Sequence, residues 1–171
     1  MSRKYMNERW CVRCGKEDGT PYLKKHWSKL FTDNPPKIAN VLDIGCGNGR
    51  NSEYIKAKGV KNIISLDMAG DYGCQCIFDS SPLPLFEKTV DVVLANYILM
   101  FLERKERKRV IRDIKKSAKK NCTMMVELYP AKDSYCKTED EMLVVQKELF
   151  DDLNWEKVLY SKGRFIVRKE N

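Results

Sequence analysis

The order of apolar and polar stretches along the 171 residues predicts strands and helices that alternate. Short apolar runs bounded by glycine, proline or charged residues are typical of buried strands, and apolar residues three and four apart indicate helices that cover a sheet. The predicted strands are Val41–Ile44, Val60–Leu66, Cys76–Phe78, Asp91–Tyr97 and Thr123–Leu128, followed by a hairpin of Glu156–Tyr160 and Arg164–Val167. The predicted helices are Asn51–Lys58, Arg104–Lys120 and Glu139–Leu153. This alternation predicts an α/β domain with a mostly parallel sheet, helices on both faces and a C-terminal antiparallel hairpin.

Residues 1–37 precede the alternation and differ from it in composition. They are rich in aromatic residues, namely Tyr5, Trp10, Tyr22, Trp27 and Phe31. Gly15, Gly19 and Pro21 interrupt any helical pattern, and Asn34-Pro35-Pro36 ends the segment because a residue before proline avoids the helical region. We expect residues 1–37 to form a lid or cap, or else to pack on the sheet edge, and residues 38–171 to form the main domain.

A glycine-rich stretch links the first predicted strand to the first helix. Gly45, Gly47 and Gly49 follow Val41–Ile44, as in a sharp strand-to-helix turn whose bare backbone a ligand can approach. The free N–H groups at the start of the helix suit an anionic or hydroxyl-rich ligand. The second strand ends in Asp67, and an acid about 20 residues after the first glycine binds the ribose hydroxyls of an adenosine-type cofactor. A glycine turn without a ligand is the plainer alternative.

The stretch Leu42-Asp43-Ile44-Gly45-Cys46-Gly47-Asn48-Gly49 resembles the first motif of class I S-adenosylmethionine-dependent methyltransferases. Arg50 stands where a dinucleotide fingerprint has its third glycine, so a dehydrogenase is disfavoured. The resemblance covers roughly residues 38–170. It implies a Rossmann-like sheet of seven strands, the last of them antiparallel, with S-adenosylmethionine as the cofactor.

The resemblance also implies which residues build the site. The candidate cofactor-binding residues are Asp43, Gly45, Cys46, Gly47, Gly49, Asp67, Met68, Asp79, Ser80 and Asn96. Asp79 would bind the adenine amino group, although it could also be a surface loop acid. Asn96 and Tyr97 are expected to face the substrate, with Tyr129 and Tyr135 as further candidates.

No catalytic base can be assigned from the sequence. Many small-molecule members of the family have a histidine shortly after the fourth strand, where this chain has Met100 and Phe101. A histidine-assisted mechanism is therefore disfavoured. This does not disfavour methyl transfer, because a base is needed only when the nucleophile carries a proton that must leave.

The positive charge of the chain is concentrated in one predicted helix. The net charge is +8, and Arg104–Lys120 contains ten Lys and Arg residues against two acids, a surplus of eight. Val110, Ile111, Ile114 and Ala118 form its apolar face, and Arg107 lies on that side, where its side chain could snorkel to solvent. The helix is either a solvated cover of the sheet or a phosphate-binding surface.

Other features of the sequence bear on metal binding and on cellular location. Cys11-x-x-Cys14 and Cys74-x-Cys76 could together bind zinc, but the second pair is one residue short of the usual spacing, so we assign no metal and expect free thiols. The lone His26 is interpreted as a surface or packing residue. No apolar run approaches the length of about 20 residues that a membrane span needs, and no signal peptide is recognisable, so a cytoplasmic protein that does not enter membranes is expected.

Three functions are compatible with these patterns. The first is a methyltransferase acting on a small molecule, which the lean architecture favours. The second is a methyltransferase acting on RNA or a ribosome-associated substrate through the basic segment Arg104–Lys120. The third is a non-catalytic adenosyl-binding module that recognises a partner protein.

Overall fold

The computed structural model describes residues 19–33, 35–67, 83, 85–128 and 138–170, together with the backbone of residues 76–77. The helices are α1 (Pro21–Leu30), α2 (Arg50–Ala57), α3 (Arg104–Ser117) and α4 (Glu139–Leu153). The strands are β1 (Asn40–Ile44), β2 (Asn62–Asp67), β3 (Cys76–Ile77), β4 (Val90–Asn96), β5 (Ala118–Glu127), β6 (Glu156–Ser161) and β7 (Arg164–Arg168).

All of these strands belong to one mixed sheet with the order β3-β2-β1-β4-β5-β7-β6. Six strands have five to ten residues, and β3 has two. The pairs β2–β3, β1–β2, β1–β4 and β4–β5 are parallel, whereas β7 is antiparallel to both β5 and β6. The predicted α/β, Rossmann-like architecture is confirmed. Because the strand order reverses between β1 and β4, a crevice for a ligand is expected at the carboxyl ends of these two strands.

Successive residues of the central strands pack on opposite faces of the sheet, as the two-residue period of a strand requires. One face buries Leu42 and Val93 against α3 and α4, and the other buries Val41 and Val92 against α1 and α2. Both faces of the central strands are therefore apolar and covered. This explains why the sequence of β4 is a nearly continuous apolar run.

The first helix corrects one prediction from the sequence. Pro21 was expected to interrupt a helix, but it begins α1, where a missing N–H costs nothing because that group has no partner within the helix. Thr20 is the N-cap, and its hydroxyl accepts a hydrogen bond from the Leu23 N–H at 3.2 Å. Leu23 and Leu30 are buried against the sheet, so this part of residues 1–37 packs onto the domain.

Three further boundaries differ from the prediction by two residues or more. Strand β5 begins at Ala118 rather than Thr123, and the other two are the end of the basic helix and the start of β2. The basic helix ends at Ser117 rather than Lys120, because Ala118 is extended and the chain continues directly into β5. The Thr89 N–H binds the Ser117 carbonyl at 2.8 Å, so a tertiary contact terminates the helix. Strand β2 starts at Asn62 rather than Val60, because the Val60 N–H still binds the Ile55 carbonyl at the end of α2.

The last helix and the hairpin follow the prediction closely. Helix α4 has the predicted bounds, since Thr138 and Glu141 form a capping box at its start. The hairpin turns at Lys162 and Gly163, and Gly163 adopts a φ of 72° that favours glycine.

Candidate cofactor and acceptor site

The candidate site residues line up along the carboxyl edge of the sheet. In the strand register, Leu66 lies opposite Ile44, Leu94 lies opposite Asp43, and Asn96 lies opposite Glu127. The next residues along these strands bring Asp67 beside Gly45 and Gly45 beside Asn96. The row Asp67, Gly45, Asn96 and Glu127 therefore crosses the point where the strand order reverses.

The glycine loop between β1 and α2 depends on backbone conformations that favour glycine. Gly45, Gly47 and Gly49 have φ angles of 71°, 55° and 80°. A Cβ atom on Gly45 would lie 2.5 Å from the Cβ of Ile98, so only glycine fits there. A Cβ atom on Gly47 would meet nothing within 4 Å. The loop is therefore closely packed on its inner side at Gly45 and open at Gly47, where a ligand could lie.

Asp67 is held in place by the same loop. Its Oδ2 accepts a hydrogen bond from the Gly47 N–H at 2.8 Å. The N–H groups of Gly45 and Cys46 bind the Leu66 carbonyl at 2.7 and 3.1 Å. The loop, the end of β2 and the carboxylate at that end therefore form one rigid unit, in which Asp67 is half-buried.

Asp43 lies beneath the loop and is only 1% exposed. Its Oδ2 accepts a hydrogen bond from the Ser52 hydroxyl at 2.7 Å, and Ser52 also contacts the Ser65 hydroxyl at 2.8 Å. Burial is the main reason why the pKa of Asp43 is raised to about 6. The hydrogen bond from Ser52 lowers this pKa, and the negative charge of Asp67 raises it. Asp43 thus connects β1 to the first turn of α2 and to β2.

Asn96 and Tyr97 follow at the end of β4. The Asn96 side chain is 6% exposed, and neither its Oδ1 nor its Nδ2 has a hydrogen-bond partner among the described residues. Tyr97 has a φ of 61°, which is uncommon for a residue with a side chain. Its N–H binds the Glu127 carbonyl at 2.7 Å, and its hydroxyl donates to Glu127 Oε2 at 2.9 Å. Glu127 therefore fixes both the backbone and the side chain of Tyr97.

Glu127 itself was not predicted as a site residue. It is fully buried, and its carboxylate accepts hydrogen bonds from the Thr20 and Tyr97 hydroxyls, with Arg164 Nε at 3.4 Å. The Thr20 N–H in turn binds Asn51 Oδ1 at 3.0 Å, in the first turn of α2. The sequence contained one signal for Glu127, which is an acid at the end of an apolar strand, as Asp67 is. The partners of Glu127 lie in three distant parts of the sequence and could not be paired by spacing.

Burial is the main cause of a raised pKa at Tyr97, and the adjacent Glu127 charge and hydrogen bond add to it, giving a pKa of about 12. Tyr97 therefore stays protonated at neutral pH. Its hydroxyl hydrogen is donated to Glu127, and a hydrogen bond with the Arg164 side chain acts in the opposite direction and lowers its pKa.

Several predicted residues lie outside the described part of the chain: Cys11, Cys14, Met68, Cys74, Asp79, Ser80, Tyr129 and Tyr135. For Cys76 only the backbone is described. Within the described residues, no group of three or more His, Cys, Asp or Glu side chains could hold a metal ion. Cys46 is buried in the loop, where its Sγ lies 3.9 Å from the Gly47 carbonyl oxygen. The roles predicted for the eight residues outside the described part of the chain stay predictions.

Two other residues named in the sequence predictions, His26 and Met100, pack against neighbouring side chains. His26 lies on α1 with its ring 4.6 Å from that of Tyr22, and partial burial lowers its pKa, as do Lys25 and Lys29. Met100 is fully buried in the core. Among the described helices, none is long and apolar enough to cross a membrane.

Arg107 corrects a further prediction. It does not snorkel to solvent but is 5% exposed. Its guanidinium donates to the Leu102 carbonyl at 2.6 Å and to Glu148 Oε2 at 2.7 Å. The charge is thus neutralised between α3 and α4, and the residue joins these two helices.

Comparisons with known proteins agree with this geometry. A family model described as "Methyltransferase domain" matches residues 42–126, which include most of β1, the glycine loop, β4 and most of β5. No curated protein matches the sequence. The matched range contains the glycine loop, Asp67 and Asn96.

Solved structures resemble the chain in fold. A SAM-dependent methyltransferase from Aquifex aeolicus has a TM-score of 0.64 at 14% identity, with 98% of this chain and 97% of that one covered. The 1,6-didemethyltoxoflavin-N1-methyltransferase of Burkholderia thailandensis, solved with S-adenosylhomocysteine, has a TM-score of 0.58 at 17% identity, with 86% and 82% covered.

The [4+2]-cyclase SpnF has a TM-score of 0.61 at 14% identity; the match covers 82% of this chain but only 59% of that longer protein. At these identities the structural likeness establishes the fold, and the family model together with the glycine loop establishes the family. The chain therefore belongs to the class I S-adenosylmethionine-dependent methyltransferases.

Proposed function

We propose that this methyltransferase acts on a small-molecule acceptor that binds against Asn96 and Tyr97. The observation that carries the proposal is the Asn96 amide, which is buried with both polar atoms unpaired among the described residues. A buried polar group without partners costs about 1–3 kcal/mol, so such groups are normally satisfied. A bound molecule at this strand end would supply the missing donor and acceptor.

The residues present fit S-adenosylmethionine on two further observations. The open space at Gly47 leaves room for a ligand against the backbone, and Asp67 is fixed beside it by the Gly47 N–H. In the proposed site Asp67 binds the ribose hydroxyls, and the loop from Gly45 to Gly49 lies against the cofactor. Met68, Asp79 and Ser80 complete the proposed contacts.

The cofactor supplies an electrophilic methyl group, which an acceptor nucleophile attacks in line. The part of the protein is to align the acceptor and exclude water. Asn96 orients the acceptor through its amide, and Tyr97, which Glu127 holds in place, packs beside the acceptor. With a pKa of about 12, Tyr97 positions the acceptor but does not remove its proton at neutral pH.

The proposal includes the predicted cap. Thr20 contacts both Asn51 and Glu127, so the start of α1 is anchored beside the site. This supports residues 1–37 as a cap over the site of the domain formed by residues 38–171, and it favours a small acceptor over a macromolecule.

Calorimetric titration with S-adenosylmethionine, S-adenosylhomocysteine and NAD tests the cofactor assignment. We expect both adenosyl ligands to bind and NAD not to bind. Asp67→Ala should weaken adenosyl binding by about 1.5–3 kcal/mol, the contribution of a charged hydrogen bond. Asp151→Ala, which removes an exposed acid paired only with Lys147, is the matched control and should leave affinity unchanged.

Transfer of a labelled methyl group from S-adenosylmethionine into a cell extract tests the acceptor class. Label in the low-molecular-mass fraction is the expected result, and Asn96→Ala should reduce it while retaining cofactor binding. Label in the RNA fraction would instead support the second candidate, an RNA acceptor held by α3. Adenosyl binding without transfer into any fraction would contradict both.

A further inference from the structure

The outer face of α3 carries cations that the fold does not use. Arg104 and Arg107 bind Glu148, at 3.2 and 2.7 Å, and Lys115 binds the Asp152 carbonyl at 3.0 Å. These three residues face α4. The other basic side chains of the helix make no hydrogen bond or ion pair with any described residue; they are Lys105, Lys108, Arg109, Arg112 and Lys116. Four of these five are exposed, and Arg109 is half-buried.

Four of these five cations line a surface groove of about 560 Å³ on the N-terminal half of the helix. Its lining consists of Glu103, Lys105, Glu106, Lys108, Arg109 and Arg112. The two carboxylates cap the helix: each accepts a hydrogen bond from the backbone N–H of the other residue. Four cations therefore face the groove against two acids that are already bonded to the backbone.

Arg109 shows that the groove lacks an anionic partner. Its Nε and Nη2 atoms are shielded from solvent, yet neither has a hydrogen-bond acceptor among the described residues. A guanidinium presents its donors in a fixed planar fork that matches the oxygens of a phosphate. A phosphate oxygen in the groove would satisfy these two nitrogens.

The spacing of the cations suits a repeating anion. From Lys105 to Lys116 they follow the helical spacings of three and four residues along one face, over a length of about 16 Å at 1.5 Å per residue. A nucleic acid strand presents one phosphate about every 3.4 Å along its axis. The stripe can therefore meet several successive phosphates.

The same face offers nothing to an apolar partner. The apolar residues of α3 are committed to the core, where Val110, Ile111 and Ile114 are at most 2% exposed. A helix that lies on a membrane needs a free apolar face beside its basic one. The described residues that line the groove all have charged side chains, which is typical of contact with a phosphate backbone.

We propose that the groove on the outer face of α3 binds the phosphate backbone of a nucleic acid. The proposal does not depend on the cofactor site or on which molecule is methylated. Because α3 follows β4 in a parallel unit, its N-terminal half lies toward the carboxyl edge of the sheet, where the candidate site is. A bound strand would thus lie on the same side of the molecule as Asn96.

Fluorescence anisotropy with labelled single-stranded RNA, single-stranded DNA and duplex DNA tests the proposal over a range of salt concentrations. If the groove contacts about four phosphates of a single strand, the slope of log affinity against log salt should be about −3. The variant Lys105→Gln/Lys108→Gln/Arg112→Gln should flatten that slope by about 2 and weaken binding at least tenfold at low salt. Comparison of the three probes identifies the preferred source of phosphates.

The matched control is Lys58→Gln/Lys61→Gln/Lys157→Gln, which removes the same number of charges from three exposed lysines outside α3 and outside the proposed cap. It should retain binding, as should Lys105→Arg/Lys108→Arg, and S-adenosylhomocysteine affinity should be unchanged in all variants. No binding at low salt, equal losses in both triple variants, or binding to anionic lipid vesicles and not to nucleic acid would overturn the proposal.

Discussion

The carboxyl edge of the sheet has two halves. The hydrogen bonds that hold each half together join residues at very different separations along the sequence. The cofactor half consists of β1, the glycine loop, α2 and β2, and its hydrogen bonds join residues 9 and 20 positions apart, as in Ser52–Asp43 and Gly47–Asp67. The acceptor half consists of the ends of β4 and β5 with Thr20 and Arg164. Its bonds join residues 30 and 107 positions apart, as in Tyr97–Glu127 and Thr20–Glu127.

Because of this difference, a substitution can disrupt one half and leave the other intact. A short motif contains nearly all the contacts of the cofactor half. The acceptor half exists only when α1, β4, β5 and the hairpin have docked around one buried carboxylate. Substitutions at that carboxylate should therefore reduce global stability, whereas a substitution at the open loop position Gly47 should act mainly on cofactor binding.

The largest effect is expected for Glu127→Ala. Removing this fully buried carboxylate leaves the Thr20 and Tyr97 hydroxyls without their acceptor, so the free energy of unfolding should fall by about 3–5 kcal/mol. Urea denaturation measures it. Glu127→Gln keeps one acceptor oxygen and should lose less. A loss below about 1 kcal/mol for the alanine variant would show that the acceptor half is held by other contacts.

The next effect is a pH dependence that is specific to the cofactor half. The pKa of Asp43 is raised to about 6 in the folded state from 3.8, so its contribution to stability is complete below pH 4 and is lost as the pH rises through 6. At pH 7 the loss is about 3 kcal/mol. Asp43→Asn cannot ionise, so its stability relative to wild type should rise by that amount from pH 4 to 7 in urea denaturation. A difference independent of pH would contradict the burial of an ionisable Asp43.

A pair of glycine variants separates packing from ligand binding within the loop. Gly45→Ala forces a Cβ to within 2.5 Å of Ile98 and should lower the free energy of unfolding by about 2–3 kcal/mol. Gly47→Ala meets no protein atom and should lose only about 1 kcal/mol, from its positive φ. In titrations with S-adenosylhomocysteine, Gly47→Ala should still weaken binding. Unchanged affinity would mean that the open space at Gly47 is not where the cofactor lies.

The smallest effect is expected for Tyr97→Phe. The variant removes one hydrogen bond to Glu127 but leaves the Thr20 bond and the partly exposed Arg164 in place, so about 1 kcal/mol of stability should be lost. Cofactor affinity should not change, while methyl transfer should fall because Glu127 no longer fixes the Tyr97 ring beside the acceptor. Full transfer activity would show that Tyr97 does not position the acceptor. The matched control is Tyr160→Phe, which changes an exposed tyrosine.

Local patterns were sufficient for most of the fold. The core strands and helices were predicted within a few residues, because periodic apolar positions and the capping residues of α4 are properties of neighbouring residues. The boundaries that failed depend on distant contacts: α3 ends where the Thr89 N–H binds Ser117, and α1 begins at Pro21 because Thr20 is anchored on Asn51.

The sequence by itself determined the cofactor half: the glycine spacing and Asp67 indicate the ligand because a tight turn and a ribose contact impose short, fixed separations. Only the tertiary structure decided the acceptor half. No spacing could pair Thr20 with Glu127, bury Arg107 between α3 and α4, or leave the Asn96 amide without a partner among the described residues. The physical reason is that burial and hydrogen bonding between distant segments are properties of the assembled sheet, whereas a turn is a property of a few adjacent residues.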